Sequence, residues 1–546
     1  MTDILLIQPP IRDFYLTTKR TIPYGLACLA STLIQDGFSV RIVDGLASTK
    51  SRILDLPEEM TYLNEFYGKA DRSPFAFFSR FKHFGYSFNH IAKIAKASQA
   101  FLVGVSCLFT PYMQEAIETA ETVKAFHPSC KIVMGGHHPT ADPQSVMQSP
   151  AVDFVLRGEG EVSVSLLAKA IKKGGLYENI PGLVYRKPNG DLLINSPAVM
   201  DKPDRYPLPA NHLINHKFYM RAKKGSAVIV ASRGCPMKCT YCSVGASSYL
   251  TFRRRSVASV IREIETAIVH DDVGFIDFED ENLALDRKWF LKLLQQIELH
   301  FGRNHLELRA MNGLFPPSLD DEVIEAMKAA GFKTLNLSLG STSPEQLSRF
   351  QRPDAKHAFD RALTLCEKHG LKAVGYIIIG APFQQAQDSL SDLLFLAERR
   401  VLAGLSVFYP ALGSRDYDLC DKLGILPKTF SCMRSSALPL SHTTTRLETI
   451  PLLRLGRILN FMKYLLDKCE MIQQPMPQPA VIENTDDRIE TGKLLLQRFL
   501  YDGKILGITS KGDVFEHNVA MDLTNNFLER LKSLHLRGCT YREKEF

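Results

Sequence analysis

Three cysteines lie close together in the segment Ser232-Arg-Gly-Cys-Pro-Met-Lys-Cys-Thr-Tyr-Cys242, which is the strongest chemical signal in the chain. Thiolates are soft ligands that suit zinc and iron–sulfur clusters, so one loop could hold three metal positions. A structural zinc usually has four ligands, commonly from two C-x2-C pairs, and the sequence has no partner pair. Three thiolates on a four-iron cluster leave one iron open. The spacing favours a 4Fe-4S cluster on Cys235, Cys239 and Cys242, with zinc or unreactive thiols as the alternatives.

The same segment resembles the signature of the radical S-adenosylmethionine (radical SAM) superfamily, because an aromatic residue, Tyr241, precedes the last cysteine. In that family the open iron is chelated by the amino and carboxylate groups of SAM. One electron then cleaves the sulfonium to a 5'-deoxyadenosyl radical, which abstracts a hydrogen atom from the substrate. The resemblance implies that Tyr241 lies against the adenosine, and that a reducing partner such as flavodoxin or ferredoxin supplies the electron.

A run of carboxylates, Phe278-Glu-Asp-Glu-Asn282, follows the second predicted strand of this region. Negative groups at the carboxyl end of a barrel strand could receive the ammonium group of an amino acid. The resemblance assigns that role to Asp280 and Glu281, and the alternative is a solvated acidic turn. Two later motifs depart from the family pattern, since Gly340 replaces an acid and Phe383 replaces a glycine. The ribose and carboxylate contacts of SAM are therefore not predicted.

Four short motifs in the first 185 residues occur in the order typical of the cobalamin-binding domain that precedes many radical SAM cores. They are Ile22-Pro-Tyr-Gly-Leu-Ala27, Val103-Gly-Val-Ser106, Val133-Met-Gly-Gly-His137 and Arg157-Gly-Glu-Gly-Glu161. Glycines after strands let the backbone approach a bulky ligand and offer amides to phosphate, although each motif alone is also typical of a turn or a helix start. Together they predict cobalamin contacts at Gly25, Ser106, Gly135, Gly136, His137, Gly158, Glu159 and Gly160.

The chain lacks the D-x-H-x-x-G motif with which another type of cobalamin domain supplies a histidine to cobalt. The resemblance therefore implies cobalt without a histidine ligand from that motif. It favours a cob(II)alamin or methylcobalamin cycle in which the lower face is weakly ligated.

These motifs belong to two series of alternating strands and helices, the pattern of parallel sheets. The first series predicts a doubly wound, Rossmann-like α/β domain over residues 1–190. Its aromatic insertion at 47–100 either covers a ligand or a domain interface, or is a surface helix pair that buries its own aromatics. After a linker at 191–224, six βα units predict a radical SAM partial (β/α)6 barrel over 225–428, with chemistry at the strands' carboxyl ends. Residues 429–546 predict a mostly helical region with one hairpin.

Length and composition set broad limits on the class of protein. A chain of 546 residues predicts two or three domains, and 45% hydrophobic with 23% charged residues is ordinary for a globular enzyme. A net charge of +7 is small for this length and gives little support to nucleic-acid binding. We find neither a signal-peptide pattern nor a long apolar run, and eleven cysteines indicate reduced thiols. We expect an oxygen-sensitive cytoplasmic protein that binds no membrane.

Three functions follow from the resemblance. The leading hypothesis is methyl transfer from methylcobalamin to a small-molecule substrate radical. The second is radical cyclisation, rearrangement or oxidation without methyl transfer. The third, of another class, is a non-catalytic cobalamin or redox sensor, against which the complete set of three cysteines argues.

Overall fold

The computed structural model describes residues 2–15, 21–67, 69–76, 80–247, 249–470 and 487–539. Among the helices in these ranges, none combines the length and the apolar character that a membrane span requires.

Among the described residues of the N-terminal part there are ten strands and seven α-helices. Its strands are β1 (Ile4–Gln8), β2 (Ile11–Asp13), β3 (Val40–Asp44), β4 (Ser51–Ile53), β5 (Lys82–Phe84), β6 (Leu102–Ser106), β7 (Lys131–Gly135), β8 (Phe154–Leu156), β9 (Leu183–Arg186) and β10 (Leu192–Ile194). Its helices are α1 (Tyr24–Gln35), α2 (Asn64–Tyr67), α3 (Phe88–Ser98), α4 (Met113–Phe126), α5 (His137–Ala141), α6 (Pro143–Val146) and α7 (Val164–Lys173).

Seven of these strands form one sheet in the order β10-β9-β8-β7-β6-β1-β3. Pairing is parallel from β3 through β8, and β9 and β10 are added in antiparallel fashion. Strand β1, which lies between β6 and β3, buries Leu5 and Ile7 in one hydrophobic core and Ile4 and Leu6 in another, because helices cover both faces of the sheet. The strand order reverses between β1 and its neighbours β3 and β6, so a ligand crevice is expected outside their carboxyl ends.

The second part is an incomplete barrel of parallel strands. Its strands are β11 (Gly225–Ile229), β12 (Ser232–Arg233), β13 (Arg253–Arg254), β14 (Val273–Phe278), β15 (Glu307–Arg309), β16 (Thr334–Gly340), β17 (Lys372–Ile379) and β18 (Leu402–Val407). Its helices are α8 (Ser243–Ala246), α9 (Val257–Asp271), α10 (Arg287–Phe301), α11 (Asp321–Ala330), α12 (Pro344–Arg349), α13 (Lys356–Lys368), α14 (Ala386–Ala397) and α15 (Arg415–Lys422).

Strands β11, β14 and β15 form one parallel sheet, and β16, β17 and β18 form another. Single bridges from Leu308 to Phe332 and from Leu314 to Leu337 join the two sheets. The six strands thus follow one another as the partial barrel that the sequence predicts. The short antiparallel pair β12–β13 stands apart at the mouth of this barrel and flanks the cysteine segment.

The C-terminal part is mostly helical, as predicted, and contains one hairpin. It consists of α16 (Arg446–Asp467), α17 (Arg488–Asp502), β19 (Leu506–Ile508), β20 (Val514–Glu516) and α18 (Met521–Lys532). Helix α16 packs against β18 and α14 of the barrel, so this part shares the barrel's hydrophobic core.

The insertion at 47–100 also belongs to that shared core. Its side chains Met60, Leu63, Phe75 and Phe81 are buried in the same cluster as the barrel and the C-terminal helices. The expectation of a surface helix pair that buries its own aromatics is therefore wrong, because these aromatics pack across an interface. Polar contacts also join the insertion to the C-terminal part. The Asp71 carboxylate lies 3.0 Å from Nε2 of His517 and 3.4 Å from Nη1 of Arg454.

Candidate cofactor site

The three predicted cysteine ligands lie between β12 and α8, at the carboxyl end of the first barrel strand. Cys239 is buried, while Cys235 and Cys242 are half-buried. In the described part of the chain, no three ligating side chains converge on one metal ion. In a cluster each thiolate binds its own iron, whereas a structural zinc usually takes four ligands. Three thiols on one loop, with no second C-x2-C pair in the sequence, therefore fit a 4Fe-4S cluster better than a structural zinc.

Asp280 holds the start of this cluster loop in place through hydrogen bonds. Its carboxylate accepts hydrogen bonds from the backbone N–H groups of Ala231 (3.2 Å) and Ser232 (2.5 Å) and from the Ser232 hydroxyl (2.5 Å). Only 2% of Asp280 is exposed, and burial raises the pKa of its carboxyl to about 7. Both oxygens are thus engaged by the protein itself, which indicates a positioning role for Asp280.

Glu281 differs from its neighbour, because its side chain is exposed in the cleft. One of its oxygens accepts a hydrogen bond from the N–H of Gly234 at 3.1 Å. The carboxylate therefore stands beside the cluster loop with room for a further donor. Of the two acids that the sequence singles out, Glu281 is the one open to the ammonium group of a ligand.

Arg352 is a site residue that the sequence analysis missed. It is 8% exposed, and its Nη1 lies 3.2 Å from the Tyr241 hydroxyl and 3.9 Å from Cys239 Sγ. Its Nη2 donates to the carbonyl and hydroxyl oxygens of Ser338 at 2.6 and 2.9 Å, while Nε has no partner among the described residues. The guanidinium is thus a buried cation beside a cluster thiol, at the mouth of the barrel.

Arg352 also explains why residue 340 departs from the family pattern. A Cβ added to Gly340 would lie 3.1 Å from Cδ and 3.2 Å from Nε of Arg352, and the backbone there has a φ of +87°. The arginine side chain therefore fills the space that an acid at position 340 would need. No local pattern in the sequence links these two positions, which are twelve residues apart.

Tyr241 packs within the protein near the cluster. Its ring meets Phe350 edge-on with centroids 5.0 Å apart, and burial raises the pKa of its phenol. The predicted contact of Tyr241 with adenosine stays a prediction.

A buried group of ion pairs joins the cluster loop to the N-terminal part. Arg233, two residues before the first cysteine, binds Glu159 (3.0 Å) and Glu161 (2.6 Å). Arg253, paired with Arg233 across β12–β13, also binds Glu159 at 2.5 Å. We call these four residues the interdomain clamp. Burial raises the pKa of Glu161, but the charge of Arg233, its hydrogen bond to the carboxylate and the further charge of Arg253 together lower it below its usual value, so this acid is ionised.

The clamp includes both acids of the fourth motif, Arg157-Gly-Glu-Gly-Glu161. Both carboxylate oxygens of Glu159 are engaged, by the two arginines and by the N–H of Met200. A Cβ on Gly158 would lie 2.2 Å from the Ala198 carbonyl oxygen, and one on Gly160 would lie 2.9 Å from Leu29 Cδ2. Glu159 therefore contacts the barrel part, whereas Gly158 and Gly160 pack against Ala198 and Leu29. The cobalamin contacts of these three residues stay predictions.

The other predicted cobalamin contacts lie at the edge of the crevice. Ser106 lines it together with Gln8, Pro9, Leu46, Cys107, Leu108, Phe109 and Tyr112. Gly135 pairs with Ser106 across β6–β7, and Gly136 follows with a φ of +125°. A Cβ on Gly136 would lie 2.3 Å from the Cys107 carbonyl oxygen, so only glycine lets the two loops approach. Gly25, at the start of α1, has open space around its Cα.

His137 follows these glycines and begins α5. Its side chain is exposed to the cleft, yet the surrounding protein desolvates the ring and lowers its pKa. The imidazole is therefore uncharged at neutral pH.

The barrel mouth and the N-terminal part come near each other at Tyr409. Tyr409 follows the last barrel strand β18. Burial raises the pKa of its phenol, and Cys242 and Tyr15 of the N-terminal part are near enough to raise it further. Large apolar side chains are exposed at the strand ends of both parts, at Leu108, Phe109, Met311, Phe383 and Tyr409. Such exposure is typical of a surface that a bulky ligand covers.

Comparison with known families agrees with this geometry. Residues 81–168 match the model of the B12 binding domain, and residues 229–395 match that of the radical SAM superfamily. The chain is a radical SAM protein with an N-terminal cobalamin-binding domain, as the motifs predict.

Particular relatives refine this class. The chain is 28% identical to an uncharacterized methyltransferase of Pyrococcus horikoshii, over 77% of this chain and 84% of that one. It is 26% identical to the anaerobic magnesium-protoporphyrin IX monomethyl ester cyclase of Rubrivivax gelatinosus, over 52% of each.

Two solved structures share the fold. The radical SAM methyltransferase TsrM from Kitasatospora setae, with cobalamin and a 4Fe-4S cluster bound, aligns with a TM-score of 0.59 at 18% identity, covering 77% of this chain and 75% of that one. The cobalamin-dependent radical SAM enzyme OxsB, with aqua-cobalamin bound, aligns with a TM-score of 0.63 at 15% identity, covering 91% and 72%.

Proposed function

We propose that this protein is a cobalamin-dependent radical SAM methyltransferase that acts on a small molecule. The observation that carries the proposal is the interdomain clamp, whose buried ion pairs fix the cluster loop against the part of the chain that holds the cobalamin crevice. Methyl transfer to a substrate radical needs the radical source and the methyl carrier to reach the same atom. The relatives named as methyltransferases support the same reaction class.

Different residues of the chain would bind the cluster and the two charged groups of SAM. Cys235, Cys239 and Cys242 would hold a 4Fe-4S cluster, which supplies the electron for SAM cleavage, while cobalamin in the crevice supplies a methyl carrier. We assign the ammonium group of SAM to the carboxylate of Glu281, which is open to the cleft. We assign the SAM carboxylate to Arg352, whose guanidinium stands beside Cys239.

Apolar residues around the cleft are suited to exclude water. Phe109 comes from the cobalamin side, and Met311 and Tyr409 come from strand ends of the barrel. A reactive radical must be shielded from solvent until it meets its substrate. The exposed apolar surface therefore supports a substrate with an extended apolar portion.

The division of the chain and its surroundings are part of the proposal. We propose a cobalamin-binding domain over 1–190, a linker at 191–224, a radical SAM core over 225–428 and a C-terminal region over 429–546. An external one-electron donor is required, and eleven unpaired thiols support a reducing, cytoplasmic location.

The test is anaerobic reconstitution with iron, sulfide, cobalamin and SAM, followed by product analysis after chemical reduction. Formation of both 5'-deoxyadenosine and S-adenosylhomocysteine supports methyl transfer. Deoxyadenosine alone supports radical cyclisation, rearrangement or oxidation, and neither product supports a sensor. A variant with Cys235→Ala, Cys239→Ala and Cys242→Ala should lose iron, sulfide and both products, whereas Cys469→Ala, at an exposed thiol, should keep them.

A further inference from the structure

A groove between helices α9 and α10 on the outside of the barrel carries unpaired positive charge. Arg262, Lys288 and Lys292 line it with exposed side chains, and none of the three makes an ion pair within the described ranges. Three acids also line the groove. Asp286 binds Arg254 at 2.8 Å, Asp204 accepts from the N–H of Ser256, and Glu265 is exposed. With Arg254 and Arg255 included, five basic side chains line the groove against three acidic ones, so its net charge is positive.

Exposed apolar side chains stand near one end of the groove. Val269 and Leu299 are 79% and 74% exposed, close to the carboxyl ends of α9 and α10. The two helices follow parallel neighbouring strands and pack against each other, so these ends lie at the same end of the groove, beside His300. Cations next to exposed apolar groups fit the surface of an acidic protein. A nucleic acid would require a denser array of cations for its phosphates.

The groove is structurally joined to the cluster loop. Arg254, which lines its other end, pairs with Ser232 across β12–β13, and Ser232 lies three residues before Cys235. Chain geometry therefore places the Cα atoms of Arg254 and Cys235 within about 16 Å of each other. In the groove wall, the Trp289 indole N–H donates to the Arg255 carbonyl at 2.9 Å, and the N–H of Arg255 donates to the carbonyl of Ala231 at 2.9 Å.

We propose that this groove docks an acidic protein that carries one electron to the cluster. On each docking event the carrier is oxidised by one electron and the cluster is reduced by one, with no proton or group transferred. The proposal rests on the proposed function, because a cluster that cleaves SAM reductively needs an electron from outside the chain. Charge complementarity and the hydrogen-bonded connection from the groove wall to the cluster loop support this occupant.

The experiment compares two sources of electrons on the fully reconstituted protein. Deoxyadenosine formation is measured with reduced flavodoxin, as the acidic carrier, and separately with titanium(III) citrate, which needs no docking surface. The test variant combines Arg262→Glu, Lys288→Glu and Lys292→Glu. A matched control reverses three exposed lysines of the N-terminal part, Lys50→Glu, Lys93→Glu and Lys96→Glu.

In the groove variant, we expect the flavodoxin concentration that gives the half-maximal rate to rise about tenfold or more. We also expect this concentration to depend less on salt than it does in the wild type. Its rate with titanium(III) citrate should equal that of the wild type, and the control should match the wild type with both donors. An unchanged flavodoxin dependence, an equal effect in the control, or a parallel fall with both donors would overturn the docking site. The docking site would also be overturned if the groove variant lost binding to a labelled RNA while its rate with flavodoxin stayed intact. If the wild type makes no deoxyadenosine with titanium(III) citrate, the proposed function itself fails.

Discussion

The cluster loop and the cobalamin crevice both lie at the carboxyl ends of parallel strands, yet they are shaped by different forces. At the cluster loop, buried polar and charged side chains set the geometry. Asp280 binds the backbone at Ser232, Arg233 binds Glu161, and Arg352 binds Ser338 beside Cys239. At the crevice, close backbone approach at Gly136 and exposed apolar residues set the shape. The comparison teaches that the cluster side should respond to a change of charge and the crevice side to a change of volume.

The largest effect is expected from Arg352→Met on the cluster side. Removing the cation beside Cys239 should lower kcat/KM for SAM cleavage by roughly 100-fold, since truncating one partner of a buried charge pair costs several kcal/mol. Deoxyadenosine kinetics over a range of SAM concentrations measure this. Arg352→Lys should restore part of the loss, and Arg361→Met, at an exposed arginine, should have no effect. Equal losses in the Met and Lys variants would argue against a role for charge.

The interdomain clamp gives the second test. Glu161→Gln leaves Arg233 short of a buried counter-charge and should lower the free energy of unfolding by about 3 kcal/mol. Urea denaturation measures it. The matched control is Glu322→Gln, which breaks an exposed ion pair with Arg287 and should change the same quantity by less than about 1 kcal/mol. Similar values for the two variants would remove the distinction between buried and exposed charges.

On the crevice side, Gly136→Ala should lower the free energy of unfolding by about 2 kcal/mol, because its φ is positive and the new Cβ meets the Cys107 carbonyl. Cobalamin affinity, measured by absorbance titration, should fall with it. Gly25→Ala has no atom within 4 Å of the added Cβ and should change stability by less than about 1 kcal/mol. A selective loss of cobalamin binding in Gly25→Ala would support the predicted contact at that residue.

The smallest effect concerns Glu115, a buried acid on α4 behind the crevice. Burial raises the pKa of its carboxyl to about 7, although Arg434 partly offsets this. The folded protein thus binds this proton more tightly than the unfolded chain, so stability is lost as pH rises from about 4.5 to 7. Glu115→Gln should be neutral at pH 4 and stabilising by on the order of 2 kcal/mol at pH 8. Unfolding curves at the two pH values check this, and an equal change at both would contradict it.

Much of the fold was predictable because periodicity and turn residues are local. The six barrel strands, the cluster loop and the C-terminal hairpin all appear where the sequence pattern predicts them. Asp280 was predicted to bind the ammonium group of SAM, from its place after a strand and from the family resemblance, and that role stays a prediction. Its hydrogen bonds to Ser232 could not be predicted, because they join segments 48 residues apart.

Long-range partners were the main limit. No sequence pattern near Arg352 predicts that its side chain will lie beside Cys239, which is 113 residues earlier in the chain. Glu159 was predicted as a cobalamin contact because its motif resembles that of the cobalamin-binding domain. Its ion pairs with Arg233 and Arg253 could not be predicted, because they join segments far apart in the sequence.

The insertion at 47–100 has a consequence for protein engineering. Since Phe75 and Met60 are part of the hydrophobic core of the barrel and the C-terminal helices, the N-terminal part is not an exchangeable module. A chimera that takes its first 190 residues from a relative would leave a hole in that core unless the matching faces of α16 and α17 are transplanted with it.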